Sequence, residues 1–256
     1  MKSTSNSLVI IPTYNEKENI VLIIEAVFSL PKAFDILIVD DGSPDRTAEI
    51  VKGLQDRFNT KLETKLHLLE RKGKQGLGTA YLTGFKYGLQ NGYEFILEMD
   101  ADFSHDPKEL VNLYLSCADG GQDLTIGSRY ITGVNVVNWP IGRVLLSYFA
   151  SAYVRFITRM NIQDTTAGFV CYRRKVLETL QLDKVKFVGY AFQIEMKFLT
   201  WKYGFKLKEI PIIFTERTRG QSKMSAGIFK EAFFGVMQMT IQSWFKKYDR
   251  ASLKSS

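Results

Sequence analysis

Three short apolar runs, Leu8-Val9-Ile10-Ile11, Asp35-Ile36-Leu37-Ile38-Val39 and Phe95-Ile96-Leu97-Glu98-Met99, each stop at a turn rich in Pro, Gly or Asp. Runs this short, dominated by Leu, Ile and Val, suit strands buried on both faces rather than helices. Helix-spaced stretches lie between them. Ile20, Ile23, Ile24 and Val27 mark one face of a helix over Asn19–Leu30, Thr47–Phe58 and Gly76–Gln90 read as two more, and Leu66, Leu68 and Leu69 mark a further strand. Strand and helix in alternation predict an α/β fold: a mixed, mostly parallel, Rossmann-like sheet flanked by helices. The 256 residues are enough for one large domain of this kind, or one with an appendage.

The chemically suggestive residues all fall just past strands. In open α/β folds that edge is where ligands bind. Asp100-Ala101-Asp102 follows the Phe95–Met99 run, with the strand expected to end at Asp100. Two acids one residue apart repel each other and are best satisfied by a hard divalent cation, Mg²⁺ or Mn²⁺, whose usual task is to neutralise a phosphate. Tyr14 offers a flat face for a base, Glu16 an acceptor for ribose hydroxyls or base N–H groups, and Asp41 an acceptor for a base edge. Gly42 lets the backbone approach closely. The bland reading of Asp40-Asp41-Gly42-Ser43-Pro44-Asp45 is a turn with Asp45 as helix N-cap. Gly76-Leu77-Gly78-Thr79-Ala80 lacks the third glycine of a dinucleotide fingerprint and follows a basic loop, Arg71, Lys72 and Lys74. Its small residues let a helix N-terminus pack close to the site, or serve packing alone.

A formal net charge of +7 favours anionic partners: phosphates, nucleic acid or a negatively charged membrane face. Nucleic acid is disfavoured, because no basic stripe interleaves with exposed aromatics at regular spacing. Cys117 and Cys171 lie far apart without metal-ligand spacing and are expected as free core thiols of a reducing compartment. Met1 to Ser7 is polar, so no signal peptide is expected, and no uninterrupted stretch reaches the roughly 18 apolar residues of a membrane span. The chain is therefore expected to be cytosolic or peripheral.

Pro12-Thr13-Tyr14-Asn15-Glu16, Asp40-Asp41-Gly42-Ser43-Pro44-Asp45, Gly76-Leu77-Gly78-Thr79-Ala80 and Asp100-Ala101-Asp102 resemble, in order and spacing, the family-2 glycosyltransferases of the A-type fold. The second half resembles more narrowly the polyprenol (dolichol)-phosphate mannose synthases. That likeness rests on Gly127-Ser128-Arg129-Tyr130, Arg143 with Ser147, Asp164-Thr165-Thr166-Ala167-Gly168-Phe169, Gly189-Tyr190 with Phe192-Gln193-Ile194-Glu195-Met196, and Arg217 followed by Gly220-Gln221-Ser222-Lys223. The resemblance implies an inverting transfer of mannose from GDP-mannose to a polyprenyl phosphate. It implies nucleotide contacts from Pro12, Tyr14, Glu16, Val39 and Asp41. Asp100, Ala101 and Asp102 become the donor and metal site, with Asp102 the direct ligand. Ser104 stands where some members carry a metal-binding glutamine. Arg129, Arg143 and Ser147 match the pocket for the acceptor phosphate, and Arg217 and Lys223 a loop that closes over the donor diphosphate. A UDP-glucose- or UDP-N-acetylhexosamine-dependent polyprenyl-phosphate glycosyltransferase and a non-catalytic nucleotide-sugar-binding scaffold subunit stay open beside this.

The residue types agree with that chemistry. Charge building on the leaving diphosphate suits a divalent cation with Arg217 and Lys223. A lipid phosphate is ionised at neutral pH and needs a cationic cradle more than a general base, and the guanidinium fork suits it. Bland readings stand beside these: His105 opening a helix, His67 structural on an apolar strand, Glu195 positioning rather than catalytic, Asp164 a buried partner for an arginine. Val144 to Met160 and Ile228 to Phe245 carry rows of Leu, Phe, Tyr, Ile, Met and Trp beside Arg143, Arg155, Arg159, Lys246 and Lys247. Both fit helices lying in a bilayer interface, or ordinary core or dimer helices. The expected organisation is a catalytic domain over 1–226, including an interfacial helix at about 142–160, then a C-terminal amphipathic helix and polar tail over 227–256. A separate membrane-anchor subunit is a candidate partner.

Overall fold

A computed structural model describes residues 4–60, 64–217 and 227–249. The first half runs β1 (Ser7–Thr13), α1 (Ile20–Phe28), β2 (Asp35–Asp40), α2 (Thr47–Phe58), β3 (Leu66–Glu70), α3 (Leu77–Gln90) and β4 (Phe95–Glu98). The second half runs α4 (Glu109–Ala118), β5 (Leu124–Ser128), β6 (Val136–Val137), α5 (Ile141–Thr158), β7 (Val170–Arg173) and α6 (Arg174–Thr179). It closes with α7 (Tyr190–Lys202), β8 (Leu207–Pro211), β9 (Phe214–Thr215) and α8 (Gly227–Trp244).

Seven strands form one sheet in the order β3-β2-β1-β4-β7-β5-β8. All neighbours are parallel except β7, which runs antiparallel to both β4 and β5. The sheet is therefore mixed and mostly parallel, as the alternating pattern predicts. Alternation along each strand splits the core. Leu8, Ile10, Leu37, Val39 and Ile96 pack on one face with α3 and α7, while Val9, Ile11, Ile36, Ile38 and Leu97 pack on the other with α1 and α4. Both faces are covered, which is why β1 and β2 read as unbroken apolar runs.

The glycines of α3 set how close that helix lies. A Cβ at Gly84 would stand 2.7 Å from Ile10 Cγ2, and one at Gly88 2.7 Å from Ile96 Cδ1. A Cβ at Gly78 would meet the Phe192 ring at 2.8 Å, so the small residues at the start of α3 let α7 approach. The β4 ladder stops at Glu98 rather than Asp100; Met99 N–H still donates to Ile10 O at 3.1 Å, and the acids stand in the turn beyond.

α5 turns Ser151, Val154 and Thr158 inward and leaves Ile141, Leu145, Leu146, Phe149 and Phe156 exposed. α8 likewise buries Val236, Met239, Thr240 and Ser243 and exposes Phe234, Ile241 and Trp244. The two helices meet where Tyr153 stacks on Phe233, centroids 4.7 Å apart, and donates to its carbonyl at 2.9 Å. Among the described residues no helix is long and apolar enough to cross a membrane.

Candidate active site

The C-terminal ends of β1, β2 and β4 supply one wall of the site. Asp40 is held inside its own turn, accepting from Thr13 Oγ1 at 2.7 Å, Ser43 N at 2.9 Å and Ser43 Oγ at 2.6 Å. Asp45 ties the β1 turn to α2, accepting from Lys17 N at 3.0 Å, Thr47 N at 3.1 Å and Thr47 Oγ1 at 2.6 Å. Both acids serve the turn, as the bland reading has it, but the residue capping α2 is Arg46, at φ of +68°, and not Asp45. Asp41 differs: Arg71 donates to its Oδ1 from Nε at 2.6 Å and approaches through Nη2 at 2.5 Å. Both side chains are buried, and Arg71 also donates to Thr79 Oγ1 at 2.8 Å, fixing the start of α3. Sequence reasoning placed Arg71 only in a basic loop; its partner lies 30 residues away, and no local signal marks the pair.

Tyr14 is half-buried beside this pair, with Lys74 Nζ 5.5 Å from its ring centroid. Glu16 is buried and accepts from Asn19 Nδ2 at 2.9 Å. Pro12 and Val39 are paired in the β1–β2 ladder, which brings both nucleotide turns to one edge.

The paired acids stand on a loop held under local strain, since Phe103 adopts φ of +59°, a region a bulky side chain rarely enters. Asp102 is buried; its Oδ1 accepts from Ser104 N at 3.0 Å and its Oδ2 meets Arg217 Nη2 at 2.9 Å. Asp100 has the Tyr81 hydroxyl 3.5 Å from its Oδ1. Burial, followed by the charge of Asp102, pushes the Asp100 carboxyl up to about 7. Among the described residues, no three His, Cys, Asp or Glu side chains group closely enough to ligate a metal alone. Two hard carboxylates sharing the single nearby charge of Arg217, with Ser104 on the same turn, nevertheless fit Mg²⁺ or Mn²⁺, which take one or two protein carboxylates and complete their shell with phosphate and water.

The second wall carries the basic residues. Arg129 is gripped by Asp164, which accepts from Arg129 N at 3.0 Å, Nε at 2.7 Å and Nη2 at 2.6 Å. Burial opposes ionising Asp164, but the Arg129 charge and hydrogen bonds outweigh it and hold the carboxyl below its ordinary range. The Arg129 guanidinium also lies 5.6 Å from the Trp139 and Phe214 rings. Arg143 packs over Trp139 at 4.0 Å and pairs with Glu216. Ser147, one turn further along α5, faces the Tyr130 hydroxyl. Lys223, with Gly220, Gln221 and Ser222, lies outside the described residues.

A buried polar chain runs beside these residues, and its lysine, Lys197, is one that the sequence did not mark. Gln193 Nε2 donates to Glu98 Oε2 at 2.6 Å, and Lys197 Nζ donates to Ala167 O at 2.6 Å and Gln193 Oε1 at 3.2 Å. Burial drives Glu98 up to about 8 and Lys197 down to about 8. The chain links the strand bearing the acids to the turn bearing Asp164. Glu195 accepts from Lys186 N at 2.9 Å and Phe187 N at 3.0 Å, the positioning role. His105 stacks on Phe169 with centroids 4.7 Å apart, and burial takes its pKa down to about 4. His67 lies within 3.2 Å of the Tyr93 hydroxyl in an internal network with Asp35.

The family model for Glycosyl transferase family 2 matches residues 8–181. Over 251 residues the chain is 46% identical to polyprenol monophosphomannose synthase of Mycolicibacterium smegmatis, covering 98% of this chain and 92% of that protein. Over 231 residues it is 42% identical to undecaprenyl-phosphate mannosyltransferase of Micrococcus luteus, covering 90% and 91%. Among solved structures, glucosyl-3-phosphoglycerate synthase from Mycobacterium tuberculosis, with Mn²⁺, UDP and glucosyl-3-phosphoglycerate, superposes with a TM-score of 0.64 at 14% identity, covering 93% of this chain and 80% of that one. S. aureus TarS 1-349 gives 0.58 at 19% identity, covering 99% and 68%. At such identities the two structures speak for the fold alone.

Proposed function

The chain belongs to Glycosyl transferase family 2, and from that premise we propose that it transfers mannose from GDP-mannose to a polyprenyl phosphate with inversion at the anomeric carbon. The substrate class follows the names of the two relatives, which share nearly its full length. One observation carries the mechanism: the strand-like segment Phe214–Arg217 lays Arg217 against Asp102 while Phe214 and Glu216 face Arg129 and Arg143. This segment thus bridges the wall of the donor acids and the wall of the acceptor arginines.

In this reading Pro12, Tyr14, Glu16, Val39 and Asp41 hold the nucleoside. Asp100 and Asp102, with Ser104 beside them, hold a divalent cation, which when bound neutralises the diphosphate and stabilises it as leaving group. Arg217, with Lys223, adds positive charge where the bond to the sugar breaks. Arg129, Arg143 and Ser147 orient the acceptor phosphate, whose ionised oxygen attacks without a base. That Glu195 is engaged by two backbone N–H groups supports a direct displacement. The exposed apolar faces of α5 and α8, flanked by Lys246 and Lys247, support peripheral docking on the cytoplasmic face of a membrane, alone or with an anchoring subunit. Residues 1–226 then form the catalytic unit, with 227–256 as an interfacial helix and tail.

A donor panel of GDP-mannose, UDP-glucose and UDP-N-acetylglucosamine, with farnesyl phosphate and Mn²⁺ or Mg²⁺, tests the reading by mass spectrometry of the lipid product. Mannosyl farnesyl phosphate is expected, with the β-linkage by NMR. Turnover of a UDP-sugar alone, or an α-linked product, would overturn it.

A further inference from the structure

We propose that Glu216 is a positioning residue that withholds Arg143 from the acceptor phosphate until a bound donor draws Arg217 away from Asp102; the inference rests on the glycosyl-transfer reading above. Residues 212–217 run extended and are pinned from both sides. Ile212 N donates to Ser128 O at 3.0 Å, Phe214 N to Asn135 O at 3.0 Å and Glu216 N to Val137 O at 3.0 Å, all on the acceptor side. Thr215 N donates to Ser104 O at 3.1 Å, in the loop of the paired acids. Side chains of an extended segment alternate. Phe214 and Glu216 therefore meet the acceptor arginines, while Arg217 reaches the opposite way, to Asp102.

The charges decide which contact yields. Both acceptor arginines are neutralised in this state, Arg129 by Asp164 and Arg143 by Glu216. Asp164 is fully buried and holds three donors of Arg129, so leaving Arg129 would strand a charge in the interior. The Glu216 side chain is 25% exposed and rehydrates at far lower cost. A phosphate arriving at Arg143 competes with Glu216 for one guanidinium. Arg143 keeps its place meanwhile, because Trp139 supports it at 4.0 Å.

Glu216 and Arg217 are adjacent on one short backbone, so a shift of Arg217 toward a nucleoside diphosphate reorients Glu216. The donor-side and acceptor-side ion pairs break together. Donor binding then raises acceptor affinity, and the two substrates bind in order.

The test measures farnesyl phosphate binding to the full chain by calorimetry, alone and with saturating Mn²⁺ plus GDP or UDP, each nucleotide run separately. Wild type is expected to bind at least tenfold tighter with the nucleotide. Glu216→Gln, which removes the charge and keeps the shape, should bind tightly without nucleotide and respond less than twofold. Glu216→Asp should restore the response. Wild-type affinity indifferent to nucleotide, or a Glu216→Gln protein that still responds tenfold, would overturn the coupling alone. If farnesyl phosphate binds neither protein although Mn²⁺ and nucleotide do, the acceptor reading falls, and this inference with it.

Discussion

Replacing Asp164 by Asn perturbs the acceptor wall at its deepest point. Asp164 is fully buried and takes three hydrogen bonds from Arg129, two from the guanidinium and one from the backbone. Removing one partner of such a pair leaves an uncompensated buried charge and costs about 3–5 kcal/mol. Asn keeps one acceptor oxygen, so the lower end, about 3 kcal/mol, is expected at pH 7. At roughly 2–4 °C per kcal/mol for a chain of this size, Tm should fall by about 6–12 °C. The pH dependence has a definite sign. Arg129 holds the folded-state carboxyl below its ordinary value, so as pH falls the unfolded chain takes the proton first. The stabilisation is therefore complete above the unfolded pKa of about 4 and lost as pH falls through the lower folded value. Thermal unfolding of wild type and Asp164→Asn should differ fully at pH 7 and converge below about pH 4. The double variant Arg129→Met, Asp164→Leu should recover most of the lost Tm, because well-packed apolar replacements of buried pairs are often neutral. It should not recover transfer activity. A single variant within 2 °C of wild type, or a double variant less stable than the single, would refute the reasoning.

Lys197→Met removes the donor to Ala167 O and Gln193 Oε1 in the core and should cost about 1–3 kcal/mol by urea denaturation. Gly84→Ala drives a methyl to 2.7 Å from Ile10 Cγ2 and should lose about 1–3 kcal/mol by urea denaturation. Phe234→Glu with Trp244→Glu changes two exposed side chains of α8. Their joint replacement should weaken sedimentation with anionic vesicles at least tenfold and leave Tm within 2 °C; unchanged sedimentation would remove α8 from the membrane face.

The elements carried by local pattern were legible. The bounds of α2 at Thr47–Phe58 match the sequence reading, and the strand–turn rhythm placed β1, β2, β3 and β4 within two residues at either end. Nothing local distinguishes a four-residue strand such as β7 from a turn, because its antiparallel insertion between β4 and β5 is a property of the whole sheet. The same limit applies to the site. Residue type and place beyond strands marked Asp41 and Asp102, while the family resemblance marked Arg129, Arg143 and Arg217. It could not show that Asp41 meets Arg71, Arg129 meets Asp164 or Arg143 meets Glu216, contacts spanning 30, 35 and 73 residues that only the completed topology creates. His105 beside the acids invites a ligand assignment; Phe169, brought in by β7, gives its ring an aromatic partner instead.

Sugar transfer by Asp102→Asn, followed across a Mn²⁺ titration with GDP-mannose and farnesyl phosphate, probes the joining of two phosphorylated substrates most directly. Loss of one carboxylate charge where Asp102 meets Arg217 should lower kcat at least a hundredfold and abolish the rise of rate with Mn²⁺, roughly the 3 kcal/mol of a lost electrostatic contact in a transition state. Wild-type rates with an unaltered Mn²⁺ response would contradict it.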